Sequence, residues 1–144
     1  MAVAGETRLV LGDWSALEHD ALSVRYDVFV SEQGVPVELE RDDMDPLSIH
    51  AVAYDADGAP AGTGRLLPDG HIGRMAVHRH ARGTGVGRLL LEALMARGIA
   101  DGHKRLVLSA QTHAQGFYAR SGFSAHGEIT MDAGIPHIEM VRDC

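Results

Sequence analysis

The stretch RHARGTGVGRLLLEAL, Arg79 to Leu94, runs a basic, glycine-rich turn straight into an apolar-periodic segment, and its reading organises the rest of the chain. Gly83, Gly85 and Gly87 have no Cβ, so the turn can adopt positive φ and bring its N–H groups close to a ligand. Val86, Leu89, Leu90, Ala93, Leu94 and Arg97 recur at i, i+3, i+4, i+7, i+8 and i+11, which predicts an amphipathic helix with one buried face. The first-turn amides of that helix have no partner within it and sit at the positive end of its dipole, a setting that suits a phosphate or pyrophosphate. Between His71 and Leu91 the sequence holds four arginines (Arg74, Arg79, Arg82, Arg88) and no carboxylate, in a chain of formal net charge −7.

Spacing narrows the ligand. A dinucleotide fingerprint G-x-G-x-x-G starting at Gly83 and Gly85 needs glycine where Arg88 stands, and the P-loop needs a Gly-Lys-Ser or Gly-Lys-Thr that the chain lacks. What fits is R-x-x-G-x-G, formed by Arg82, Gly85 and Gly87 after the strand-like run IGRMAV. This pattern resembles the Q/R-x-x-G-x-G/A loop of the GNAT superfamily of N-acetyltransferases. The resemblance implies that Arg82, Gly83, Thr84, Gly85, Val86, Gly87 and Arg88 hold the pyrophosphate of acetyl-CoA.

Composition sets bounds on this reading. With 144 residues and no Pro/Gly/Ser-rich linker, one domain spanning 1–144 is expected. An apolar content of 45% and a charged content of 23% are ordinary for a soluble globular chain, and no run approaches the ~18 apolar residues of a membrane span. No membrane role and a cytoplasmic location are therefore the expectation, because MAVAGETR lacks the features of a signal peptide. The only cysteine, Cys144, is the last residue, so acyl transfer is expected to be direct rather than through an acyl-cysteine. No metal site is expected: His78 and His80 are flanked by arginines, which repel a cation, and neither C-x-x-C nor H-E-x-x-H occurs. The DADG run at Asp55 to Gly58 reads as a hairpin turn. Negative net charge and 5% aromatic residues disfavour nucleic acid as a partner.

In chain order, Thr7 to Leu11 is a first strand, and Ser15 with Glu18 is a capping-box signature for a helix whose stripe Leu17, Ala21, Val24, Val28 runs to about Val30. VELERDDMDP follows, with Glu38, Glu40, Asp42, Asp43 and Asp45 against one arginine, read either as a solvated loop or as a field that attracts a cationic amine. Ser48 to Tyr54, Ala61 to Leu67 and His71 to Val77 are three antiparallel strands joined at Asp57-Gly58 and at Pro68-Asp69-Gly70. Gly62, Gly64 and Gly73 mark either bulges or close backbone approach. Lys104 to Gln111 returns parallel to His71 to Val77, which puts the ligand crevice at the C-terminal ends of these strands. A short helix, Ala114 to Arg120, and a hairpin, Phe123 to Met131 with Ile135 to Arg142, complete the chain.

Further stretches extend the resemblance over nearly the whole chain. GRMAVH resembles the family's fourth strand, which implies that Met75, Ala76 and Val77 pair with the pantetheine arm and hold the thioester carbonyl. AQTHAQGFYARSGF resembles the closing N-x-x-A-x-x-x-Y-x-x-x-G-F block, with Ala114, Tyr118, Gly122 and Phe123 in place and Gln111 where the family has an asparagine that contacts the pantetheine arm, which implies a cofactor-binding role for Gln111. VRYDVFVSEQG, GRLLPDG and GIPHIEM look like the ElaA-like branch. The fold so implied is α+β, one GNAT-like domain with a mixed central sheet of about seven strands and helices on both faces.

The implied activity is acetyl-CoA-dependent N-acetylation of a small-molecule or peptidic primary amine in a ternary complex. The alternative is a coenzyme-A-binding sensor or regulatory module without catalysis. Amine attack on a thioester needs a neutral amine, donors for the oxyanion and a proton for the leaving thiolate. Glu32, Asp45 and His137 are the candidate proton acceptors, and backbone N–H groups at Ala76 or Val77 the candidate oxyanion donors if that strand splays from its neighbour. Tyr118 is the candidate proton donor, because a phenol of pKa ~10 stays protonated at neutral pH. The acceptor's identity and the oligomeric state are not fixed by the sequence, and a homodimer is among the assemblies open to it.

Overall fold

The computed structural model describes residues 7–37 and 42–144. Along the chain come β1 (Arg8–Gly12), α1 (Trp14–Arg25), a π-helical segment (Tyr26–Glu32), β2 (Ile49–Tyr54), β3 (Pro60–Leu66), β4 (His71–Val77), α2 (Val86–Ala100), β5 (Arg105–Gln111), α3 (Gln115–Ala119), β6 (Ser124–Asp132) and β7 (Ile135–Asp143). The described strands form one seven-stranded sheet in the order β1-β2-β3-β4-β5-β7-β6, as expected for a GNAT-like α+β fold. Every neighbouring pair is antiparallel except β4 with β5, which are parallel.

Strand alternation sends successive β2 side chains to opposite faces, and each face meets its own helix. Val52 and Tyr54 pack with Leu17 and Ala21 of α1. Ala51 and Ala53 join Leu90, Leu91 and Leu94 of α2 in the larger core, which also holds Leu106, Leu108 and Phe123. Fully burying each such leucine contributes roughly 1.5–3 kcal/mol. The residues beneath α2 are small for a steric reason. A Cβ on Gly62 would stand 2.8 Å from Leu90 Cδ1 and 3.0 Å from Val86 Cγ1, and one on Gly64 would stand 2.8 Å from Leu94 Cδ1. These two glycines therefore mark close approach of helix to sheet.

The buried face of α2 is Val86, Leu90, Leu91, Leu94, Met95 and Gly98, so the predicted stripe is right at its centre and wrong on one flank. Leu89 is exposed, and Gly98 takes the buried flank, where a Cβ would lie 2.7 Å from Leu106 Cδ2. The expected stripe of Leu17, Ala21 and Val24 in α1 and Val28 in the π-helical segment is buried throughout. The cap of α1 is different: Asp13, not Ser15, is the N-cap, its Oδ1 accepting from Ala16 N at 3.0 Å and from Ser15 Oγ at 2.8 Å. An aspartate placed before the first turn satisfies an orphan amide directly, which leaves Ser15 inside the helix.

The acidic loop is corrected more deeply. Glu38 and Glu40 lie outside the described residues. Asp45 is only 2% exposed, and its Oδ1 accepts from Arg25 Nη1 at 2.9 Å and from Arg65 Nη1 at 2.8 Å. Asp42 accepts from Arg65 at 2.7 and 2.8 Å and from Arg74 at 3.0 Å. Asp45 is thus enclosed and Asp42, though partly exposed, is held by two arginines; together they bind the loop to α1, β3 and β4. His50, buried with Trp14 against its ring, donates from Nε2 to the Asp45 carbonyl oxygen at 2.9 Å.

Candidate active site

The site begins where β4 leaves β5. Only His71 with Val107 and Ile72 with Leu108 are paired, and beyond them the strands part. A β-bulge in the β3–β4 ladder accounts for the divergence: Arg65 pairs with Gly73 and Thr63 with Ala76, so Arg74 and Met75 together oppose Gly64. Arg74 takes the extra turn at φ +50°. Past the bulge, His78 N donates to Ala61 O, so the amide of Ala76 also faces β3, and that of Val77 faces the gap. Of the two expected oxyanion donors, Val77 is therefore the one directed into the opening.

Two clefts meet at this gap. One, of about 580 Å³, runs along the glycine turn and is bordered by Met75, Ala76, Val77, Arg82, Gly83, Gly85, Val86, Gly87 and Arg88 on one side and by Phe117, Tyr118, Arg120 and Ser121 on the other. The second, of about 540 Å³, lies over the sheet among Phe29, Glu32, Gln33, Arg74, Ser109, Gln111, His113, Asp132 and His137. Met75, Ala76, Val77, Arg82, Ala114 and Tyr118 border both.

The glycine turn is built as an open anion cradle. Gly83 and Gly85 have φ of +78° and +88°, and a Cβ at either would meet nothing within 4 Å, so the backbone and not a side chain faces the cleft. Gly85 is the N-cap of α2 and supplies no side-chain cap, and the first intrahelical bond of this region is Leu89 N to Gly85 O. The amides of Val86, Gly87 and Arg88 thus lack helical acceptors and suit an anionic ligand. Thr84 does not border the cleft; its hydroxyl donates to the Ala81 carbonyl.

The basic window is balanced from afar. Arg82 donates to Glu32 through Nη1 and Nη2 at 2.9 and 2.7 Å and through Nε to Val77 O at 3.0 Å. Its fork ties the turn to the π-helical segment and to the open edge of β4. The Arg82 hydrogen bonds hold the Glu32 carboxyl below its ordinary range, which makes Glu32 a poor proton acceptor. Asp45, the second candidate, does not border either cleft and is enclosed by guanidiniums, so it cannot reach an acceptor amine. His137, the third, sits in the sheet cleft.

Tyr118 projects from α3 to the junction of the clefts, edge-on to Phe117 and Phe123 at ring-centroid distances of 5.0 and 6.4 Å. Burial pushes its phenol up to about 12. Gln111 differs from expectation: it borders the sheet cleft and not the loop cleft, and its Nε2 donates to Gln33 Oε1 at 2.9 Å. The longer glutamine spans to Gln33, the residue that caps the π-helical segment. Sequence reading did not mark Arg120, Ser121, Gln33, Ser109, His113 or Asp132; strand alternation from Gln111 was the available signal for Ser109.

Residues 17–144 match the family described as acetyltransferase (GNAT) domain. The chain belongs to the GNAT acetyltransferase family. It is 40% identical over 128 residues to the uncharacterized N-acetyltransferase YjcF of Bacillus subtilis (strain 168), with 86% of this chain and 91% of that protein covered. An acyl-CoA N-acyltransferase from Pseudomonas aeruginosa superposes with a TM-score of 0.83 at 34% identity, over 94% of this chain and 99% of that one. Escherichia coli ElaA superposes with a TM-score of 0.84 at 29% identity, again over 94% and 99%. The protein is an acyltransferase enzyme of the ElaA-like GNAT branch.

Proposed function

We propose that this GNAT enzyme takes acetyl-CoA as donor and passes its acetyl group directly to a primary amine in a ternary complex. The observation that carries the reading is the meeting of the two clefts at Val77 and Tyr118, where β4 parts from β5. A donor in the loop cleft and an acceptor in the sheet cleft would face each other across that junction. The donor supplies a thioester carbonyl to which the amine adds. The new C–N bond forms as the C–S bond breaks, and the nitrogen loses its proton.

The amides of Val86, Gly87 and Arg88 would take the pyrophosphate, with Arg82 fixing the turn that presents them. The Val77 N–H would receive the carbonyl oxygen as it gains charge. Tyr118 would donate to the departing sulfur. At about 12 its phenol is a weaker acid than an alkyl thiol, ~8.5 for cysteine, so it acts by stabilising the thiolate through a hydrogen bond rather than by surrendering its proton for good. The test is thiol release from acetyl-CoA across a panel of primary amines. Coenzyme A binding without thiol release from any acceptor would replace the enzyme reading with that of a ligand sensor.

A further inference from the structure

We propose that His137 is the general base, its Nε2 taking the proton from the acceptor ammonium; the role rests on the acetyl-transfer reading above. His137 lies on β7, opposite Gln111 of β5 in the ladder and Thr130 of β6, and its ring enters the sheet cleft. Its Nδ1 stands 2.7 Å from the carbonyl oxygen of Ile135. A carbonyl only accepts, so Nδ1 carries the ring hydrogen and the neutral imidazole keeps its lone pair on Nε2. The ring needs no rotation between its two states.

The other titratable groups of the cleft are differently occupied. Glu32 is committed to Arg82, and Arg65 and Arg74 bind Asp42. Asp132, at the exposed end of β6, and His113, in the exposed turn after β5, have no side-chain hydrogen bond among the described residues that fixes the acid or the ring. His71 also borders this cleft, with its Nδ1 2.9 Å from Asp69 Oδ1, but it sits at the paired start of β4, opposite Val107; His137, opposite Gln111, is the histidine that holds a fixed, unprotonated nitrogen at the far end of β5. The step balances: the ammonium gives one proton to Nε2, the freed lone pair forms the C–N bond as the C–S bond breaks, the nitrogen's second proton passes to the departing thiolate by way of the Tyr118 hydroxyl, and the imidazolium returns its proton to solvent after the amide departs.

The experiment compares wild type with His137→Asn, which keeps an N–H donor near the Ile135 carbonyl and removes the acceptor nitrogen, and with His137→Gln as a second variant. Two probe amines are used at pH 8: Nα-acetyl-lysine amide, an alkylammonium of pKa ~10.4, and glycinamide, whose α-amino group titrates near ~8 and is half neutral already. The variants should lose kcat/KM with the lysine probe on the order of 10²-fold and only a few-fold with glycinamide. Raising the pH toward that of the free alkylamine should recover the lysine rate, with coenzyme A affinity unchanged throughout. A purely structural histidine would cost both probes equally and show no recovery. Equal losses, or none, in folded variants that bind coenzyme A overturn the role of His137 while acetyl transfer stands. Absence of thiol release from wild type with any panel amine overturns both.

Discussion

Replacing Asp45 by asparagine tests whether the acidic loop is a fastener rather than a lure for cations. Asp45 is 2% exposed and its carboxylate receives Arg25 through two bonds of 2.9 and 3.1 Å and Arg65 through one of 2.8 Å. Asparagine has the same shape, so no cavity forms. It does remove the charge between two buried guanidiniums and turns an N–H donor toward one of them. Breaking one partner out of a buried ion pair costs about 3–5 kcal/mol. For a chain of this size that predicts a fall in Tm of roughly 6–20 °C, taking about 2–4 °C per kcal/mol. Urea unfolding at pH 7 measures the loss directly, against a total stability of about 5–15 kcal/mol. The pH dependence supplies a second check. Burial alone would raise the Asp45 pKa, but hydrogen bonds and charge from Arg25 and Arg65 outweigh it and lower it. A depressed folded value means that the stabilisation is complete above the unfolded carboxyl value of ~3.9 and is lost as pH falls through the folded one. The wild-type and Asp45→Asn curves should therefore converge in acid. A loss under about 1 kcal/mol, or a gap that persists undiminished to low pH, would refute the reasoning.

Tyr118→Phe keeps the ring packing with Phe117 and Phe123 but removes the hydroxyl, and should lower kcat on the order of 10²-fold with coenzyme A affinity unchanged. A fall in affinity by calorimetry with kcat preserved would assign the tyrosine to binding alone. Gly62→Ala puts a Cβ 2.8 Å from Leu90 Cδ1 and 3.2 Å from the Ala76 carbonyl oxygen, and overpacking of about 1–3 kcal/mol should exceed the gain in strand propensity. Gly73→Ala, where nothing lies within 4 Å, is its control in the same denaturation assay; equal stability of the two variants would count against close packing under α2. Gly85→Ala forces a side-chain-bearing residue to φ +88°, at a cost of about 1–2 kcal/mol, and should weaken coenzyme A binding by displacing the cradle. Unchanged affinity in calorimetry would remove the turn from the donor site.

What could be read from the sequence was local. The glycine turn, the buried centre of α2, the hairpins at Gly58 and Gly70, and the stripe of α1 depend on residues within a few positions of one another. What escaped depends on partners brought in from elsewhere. Asp45 meets Arg25 and Arg65, each 20 positions away, and Glu32 meets Arg82 across 50, so loop charge and window charge, counted separately, misdescribed both. The switch from α- to π-helical turns after Arg25 likewise has no periodic signature, yet it carries Phe29, Glu32 and Gln33 to the cleft. The gap between β4 and β5 was inferred only as a condition; the bulge opposite Gly64 is what opens it.

The two-residue bond between β4 and β5 makes the sheet mechanically two plates pinned near one end, at His71–Val107 and Ile72–Leu108. Helix α2 is the tie laid across both, seated on one plate at Gly62 and on the other where Gly98 rests against Leu106. Gly98 and Leu106, neither of which borders a cleft, are thus the place where the helix bears on the second plate without touching either cavity.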